Sequence, residues 1–191
     1  MILRLSILTP VLGIESPLFR LVKRRMLGVD FTAMNATSAL ALAFAIGLIC
    51  GLRSLTGPAV VSWAAHWKWI DINNSRLAFF GSTGSVFIIS ALALVEMVVD
   101  KLPKTPRRTA LPGLIARLVL GGLSGSALCA AGNQSVAIGA VLGGLGGLVG
   151  AYVGYQARSR LVKALNVPDV VIALIEDAVA IGGGFLIVSR F

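Results

Sequence analysis

The chain of 191 residues is 57% hydrophobic and only 13% charged, whereas a soluble domain has about a quarter charged residues. So much apolar surface excludes a water-soluble globule and predicts an all-α membrane bundle of about five transmembrane helices, each of about 20 apolar residues. The formal net charge of +9 would indicate nucleic-acid binding in a soluble protein. Basic loops of a membrane protein account for it here, so we expect the lipid bilayer as partner and no nucleic acid.

The first 33 residues differ from the rest of the chain. A moderately apolar stretch, residues 1–13, precedes a basic cluster at residues 20–25. A secretory signal has the opposite order, so this segment does not match one. Two interpretations stay open, a cytoplasmic amphipathic arm or an extension upstream of a natural start at Met34. In both, residues 1–33 precede a single transmembrane domain over residues 34–191.

Five apolar runs follow, separated by polar or basic residues. They cover about residues 37–52, 77–99, 113–131, 136–155 and 169–188. We expect the first run to break near Gly57-Pro58, because proline disfavours helical geometry in the residue before it. The three tryptophans, Trp63, Trp67 and Trp69, predict an interfacial end or a short interfacial helix after this break.

The distribution of lysine and arginine predicts the orientation. If the N-terminus is cytoplasmic, five crossings leave only Lys68, Arg76 and Arg190 in the outer segments. Such a bias favours an N-in, C-out protein with loops 100–112 and 156–167 in the cytoplasm.

Glycines recur every four residues on two faces of the fourth run. One face carries Gly139, Gly143 and Gly147, and the other carries Gly146, Gly150 and Gly154. Small residues at this spacing let helix backbones approach closely, which promotes association in a membrane. The pattern predicts that the fourth helix lies between two neighbours.

Ionisable residues inside the predicted spans are candidates for handling a ligand or ion, because a charge in the bilayer is costly and usually faces a protein interior or a wet cavity. The candidates are Glu96, Asp100, Arg117, Glu176, Asp177 and Arg53. Residue spacing places all but Arg53 in the cytoplasmic half. We expect Arg53 to snorkel towards the outer face, unless the break folds the chain back towards the acidic residues. A salt-bridge network that only fixes the helices explains the cluster equally well.

The loop after the second run is basic and rich in proline, which predicts contact with anionic lipid headgroups. Its basic residues are Lys101, Lys104, Arg107 and Arg108. The chain contains no nucleotide-binding or metalloprotease motif, and its single histidine is His66. We therefore expect no metal and no cofactor. The two cysteines, Cys50 and Cys129, lie in apolar runs and are expected to be packing residues.

Three segments carry a resemblance to a known family. They are GLRSLTGPA (51–59), EMVVDKLPKTP (96–106) and PDVVIALIED (168–177). Together they resemble a group of small glycine-rich bacterial membrane proteins catalogued as a domain of unknown function, over about residues 34–190. The resemblance implies a bacterial plasma-membrane protein and supplies no activity.

Three hypotheses for function follow. The first is a transporter- or channel-like protein that handles a small solute or ion through the charged residues of the inner half. The second is a structural or accessory membrane protein in which the same residues only hold helices together. The third is a membrane-embedded enzyme acting on a phosphorylated lipid, with the basic loop binding phosphate. The sequence leaves homo-oligomerisation open.

Overall fold

A computed structural model describes residues 35–100 and 111–191, and these residues form an all-α membrane bundle. Its elements are α1 (Ala36–Leu52), α2 (Thr56–His66), a 3₁₀ helix (Ala78–Gly81), α3 (Thr83–Val99), α4 (Leu111–Ala131), α5 (Val136–Leu165) and α6 (Asp169–Val188). By length and composition α4, α5 and α6 are each able to cross a membrane, and α1 and α3 are apolar helices of 17 residues. The predicted fold class is confirmed.

Two predicted features lie outside the described residues. They are the N-terminal extension 1–33 and the basic side chains of loop 101–110. The division of the chain into an extension and a single domain therefore stays a prediction.

Serine side chains begin two of the long helices. The Ser82 hydroxyl accepts a hydrogen bond from the Ser85 N–H at 3.2 Å, and the Ser135 hydroxyl accepts one from the Ile138 N–H at 3.5 Å. Both satisfy N–H groups that have no partner within their helix. α5 continues past its predicted end at Tyr155, because the residues from there to Leu165 include no glycine or proline.

Successive helices alternate in direction. α1 begins beside the turn between α4 and α5, where a Cβ on Gly132 would lie 2.8 Å from the Ala39 Cβ. It ends at Leu52, and the next residue, Arg53, pairs with Asp100 at the end of α3. α2 then returns along the bundle, so α1 and α2 form a hairpin. We call the two ends of the bundle the Asp100 end and the Trp67 end.

The hairpin corrects two details of the predicted path. The break lies at residues 53–55, and Gly57 and Pro58 fall in the first turn of α2, where proline is tolerated because the N–H it lacks has no intrahelical acceptor there. α2 is also not an interfacial helix lying on the surface. Its Val61 and Ser62 are fully buried, and the helix packs against α1, α3, α4 and α6.

α5 lies between α4 and α1, as its glycine pattern predicted. On the α4 side, a Cβ on Gly139 would lie 2.6 Å from the Gly125 carbonyl oxygen. On the α1 side, a Cβ on Gly150 would lie 2.9 Å from the Leu48 Cα. These are backbone atoms, which cannot rotate out of the way. The three helices therefore pack backbone against backbone, and only glycine fits at the contacts.

We expect Gly147→Leu to destabilise the bundle, because the new Cβ would lie 3.0 Å from the carbonyl carbon of Arg117. Overpacking of this kind costs about 1–3 kcal/mol. Thermal unfolding in detergent measures the loss. Gly182→Leu is the matched control, since nothing lies within 4 Å of a Cβ at Gly182. Equal melting temperatures for the two variants would contradict the packing argument.

Candidate functional site

The side chain of Arg53 is fully buried at the break between α1 and α2. Its Nη1 pairs with a carboxylate oxygen of Asp100 from α3, and its Nε lies 2.6 Å from Asp177 Oδ1 of α6. The prediction that Arg53 snorkels to the outer face is wrong, and the alternative in which the chain folds back towards the acidic residues is correct. Arg53 has extended backbone angles, φ −139° and ψ 112°, so α1 cannot continue straight through it.

Glu96 of α3 caps the start of α2. Its Oε1 accepts hydrogen bonds from the Ser54 N–H at 2.8 Å and from the Ser54 hydroxyl. Its Oε2 accepts a hydrogen bond from the Leu55 N–H, also at 2.8 Å. N–H groups at the start of a helix have no intrahelical partner and carry the positive end of the helix dipole. The Glu96 carboxylate both accepts hydrogen bonds from these N–H groups and places a negative charge at the positive end of the dipole.

Arg117 of α4 caps the end of α1. Its Nε donates to the Gly51 carbonyl oxygen at 3.0 Å, and its Nη1 donates to the Gly113 carbonyl oxygen at 3.0 Å. The side chain is buried, and the residue is 4% exposed. The last carbonyl groups of a helix lack intrahelical donors and favour a cation. The break is therefore capped on both sides by charges of the appropriate sign.

Glu176 and Asp177 are adjacent on α6 but have different partners. Glu176 Oε2 lies 3.5 Å from Arg158 Nη1 on α5. Arg158 Nε also donates to Asp169 Oδ1 at 2.8 Å. Arg158 falls in the predicted loop 156–167, but the structure places it within α5. The helix formers after Tyr155 were the signal that α5 continues and carries Arg158 to α6.

The structure thus brings all six predicted residues to one region at the Asp100 end. We call this region the Arg53 cluster: Arg53, Glu96, Asp100, Arg117, Glu176 and Asp177. Two of its members, Glu96 and Arg117, bond to the ends of the broken helix. The other four pair with charged side chains from other helices. Within the described part of the chain, no three His, Cys, Asp or Glu side chains are grouped in a way that would hold a metal ion.

Both cysteines are buried and free, as expected of packing residues. Cys50 contacts the hydroxyl of Ser124 at 3.7 Å.

The model of the family described as "Domain of unknown function (DUF4126)" matches residues 40–189. No curated protein and no solved structure matches the chain.

We expect Arg53→Met to destabilise the protein strongly, because it leaves Asp100 and Asp177 without their shared counter-charge. Removing one partner of a buried ion pair costs about 3–5 kcal/mol. The measurement is thermal unfolding in detergent.

The triple variant Arg53→Met/Asp100→Asn/Asp177→Asn should recover much of this loss, since no buried carboxylate of the triad is then charged. Asp169→Asn is the comparison, because Asp169 in its pair with Arg158 is largely exposed and such pairs contribute about 0–1 kcal/mol. A triple variant no more stable than the single one would show that charge pairing is not the cause.

Proposed function

The chain belongs to the DUF4126 family, and we propose that it is a transporter- or channel-like protein that handles a small solute or ion at the Arg53 cluster. The observation that carries the proposal is the fully buried Arg53, placed in the break of a membrane helix and held between carboxylates from two other helices. Helices broken at a polar residue form the substrate and ion sites of many transporters. Ionisable groups inside a membrane commonly mark the paths of ions and protons.

The contacts divide the cluster into supporting and handling residues. Glu96 and Arg117 form hydrogen bonds with the backbone at the two helix ends and stabilise the break. Asp100, Asp177 and Glu176 are carboxylates that can accept a proton or a monovalent cation. We assign these three, with Arg53, to the handling of the ion or solute.

Through Arg53, the binding of a proton or cation to Asp100 or Asp177 affects the position of the helix that carries that carboxylate. When a proton or cation neutralises Asp177, the guanidinium keeps its bond to Asp100 alone, and the attraction between the hairpin and α6 weakens. Neutralising Asp100 weakens the attachment of α3 in the same way. Binding of a cation would therefore shift the balance between two positions of a helix, which is the requirement for coupled transport.

A second function also has an observation in its favour. Both helix ends at the break are capped by the protein's own side chains, and Arg53 forms ion pairs with carboxylates on two sides. These contacts also suit a structural or accessory protein in which the cluster only fixes the hairpin. The two functions differ in whether neutral variants of the carboxylates lose ion movement or only stability.

We further propose that the protein lies in a bacterial plasma membrane with the Asp100 end in the cytoplasm. Arg158, Arg160 and Lys163 lie in the last turns of α5 at this end, and the four basic residues of loop 101–110 follow Asp100 in the sequence. This bias is typical of the cytoplasmic side, where those basic residues would meet anionic headgroups. The predicted cytoplasmic N-terminus lies outside the residues that the structure describes.

Labelling of single cysteines tests this orientation in a chain with Cys50 and Cys129 replaced by alanine. An impermeant maleimide should label Arg76→Cys in intact cells, since Arg76 is exposed near the Trp67 end. It should label Arg160→Cys only after the membrane is permeabilised. The reverse pattern would contradict the orientation.

Ion movement tests the proposed function in proteoliposomes, with proton, sodium and potassium gradients applied in turn. We expect the wild-type protein to dissipate at least one gradient and Asp177→Asn to slow it at least about tenfold, because the amide cannot exchange a proton or balance a cation. Asp71→Asn is the matched control, since Asp71 is exposed in the loop after α2 and outside the cluster. Wild-type vesicles as tight as protein-free vesicles to all three ions would rule out ion handling. Loss of stability alone in Asp177→Asn would favour the structural function.

A further inference from the structure

A recess of about 450 Å³ lies near the Trp67 end of the bundle, away from the Arg53 cluster. The end of α2, the following loop and the start of α3 surround it. Its polar lining residues are His66, Lys68, Asn73, Ser82 and Thr83. The volume falls in the range of small-molecule sites. None of the described residues that line it is Asp or Glu, so the ionised group that lines it is a cation.

Lys68 occupies a backbone conformation that its side chain does not favour. Its φ is 59°, and it is the second residue after His66, where α2 ends. The Lys68 N–H donates to the Ala65 carbonyl at 3.1 Å and the Trp69 N–H donates to the Ala64 carbonyl at 2.8 Å. This pair of bonds is the Schellman motif, in which the left-handed position is usually glycine.

The other two described non-glycine residues with positive φ are asparagines, Asn133 and Asn166. Asparagine tolerates this conformation far better than lysine does. Glycine or asparagine would therefore adopt the backbone conformation of position 68 with less strain than lysine. Unlike glycine or asparagine, lysine brings a positive charge to this residue of the recess lining. Backbone strain of this kind is found at binding sites.

Two further polar side chains at the recess, those of His66 and Asn73, have hydrogen-bond partners of their own. His66 Nδ1 donates to the Gly81 carbonyl at 3.1 Å, which fixes the ring across the recess between α2 and the 3₁₀ helix. The nearby Asp71 carboxylate accepts hydrogen bonds from the Asn73 N–H and side-chain amide at 3.1 and 3.0 Å. It is thus engaged by its own loop and does not line the recess.

The tryptophans on either side of Lys68 indicate that the recess lies near the headgroup level of a bilayer. Trp67 and Trp69 flank Lys68 in the chain, are both nearly half exposed and pack on each other. Exposed tryptophans collect at the headgroup level of a bilayer. A cation and hydroxyl groups at this level form a suitable set of donors for a phosphate.

We propose that this recess binds a phosphate-bearing anion, with Lys68 supplying the charge and the Thr83 hydroxyl supplying a further donor. The phosphate is that of a phospholipid headgroup or of a free phosphate. The site is separate from the Arg53 cluster and does not depend on the function assigned to that cluster.

Lys68→Gly tests the proposal, because it removes the charge and relieves the backbone strain together. The full chain is titrated in alkyl maltoside micelles, which contain no phosphate, with phosphatidylglycerol or with inorganic phosphate, and the shift in Tm gives an apparent affinity. We expect the variant to melt at or above the wild-type Tm without ligand, and to bind at least about tenfold more weakly. That loss exceeds the roughly fivefold effect of removing one surface cation near a charged membrane. Lys68→Gln, which keeps the wild-type backbone preference, should lose binding to the same extent.

Two controls separate charge and strain from the site itself. Asn133→Gly relieves the same backbone conformation without removing a charge, and should bind as the wild type does. Arg76→Gln removes a neighbouring cation outside the recess, and should lose no more than the surface effect. A response to phosphatidylglycerol alone identifies a lipid headgroup, and a response to inorganic phosphate as well identifies a general phosphate site. Equal losses for Lys68→Gln and Arg76→Gln, or no wild-type response to either probe, would overturn the proposal.

Discussion

The burial of one guanidinium, that of Arg53, determines how the helices at the Asp100 end are arranged. A charge removed from water costs several kcal/mol unless it is paired and hydrogen-bonded. Arg53 is fully buried and obtains its partners from α3 and α6, two helices far apart in sequence. The pairing requires the chain to turn back at residues 53–55. The free backbone groups at the turn then require caps, which Glu96 and Arg117 supply.

Close backbone packing, rather than charge pairing, holds α1 against α5. The contacts of α1 with α5 are close approaches of backbone to backbone at glycines such as Gly47 and Gly150. Such contacts gain dispersion energy and leave no space for rearrangement. The bundle therefore consists of a tightly packed group, α1, α4 and α5, and a second group, α2, α3 and α6, whose positions at the Asp100 end depend on charge.

Sequence reasoning predicted the first group well and the second group less well. The spacing of Gly139, Gly143 and Gly147 has the period of a helix, and a period is a local property that a sequence contains. The path of Arg53 depends on a three-residue break that reverses the chain, and proline marked that break only to within a few residues. The charges themselves predicted that the candidate residues belong together, but their partners could not be read from spacing. Arg158, for example, meets Glu176 only because α5 continues beyond Tyr155. The recess near Lys68 could not be predicted from a sequence pattern, because its walls come from a helix end, a loop and a helix start.

α3 is the helix that is attached most weakly to the bundle, so we expect motion to begin there. α3 has only two buried residues, Val86 and Ala93, whereas α4 and α5 are buried along whole faces. The described side-chain bonds that fasten α3 to the hairpin are polar: Ser90 accepts from the Trp63 indole at 3.0 Å, and the two carboxylates at its end meet the break. A helix with little buried apolar surface gains little from packing, so its position follows the state of its polar contacts. Protonation or cation binding at the Asp100 end would therefore act first on α3, while the glycine-packed helices provide the fixed frame against which it moves.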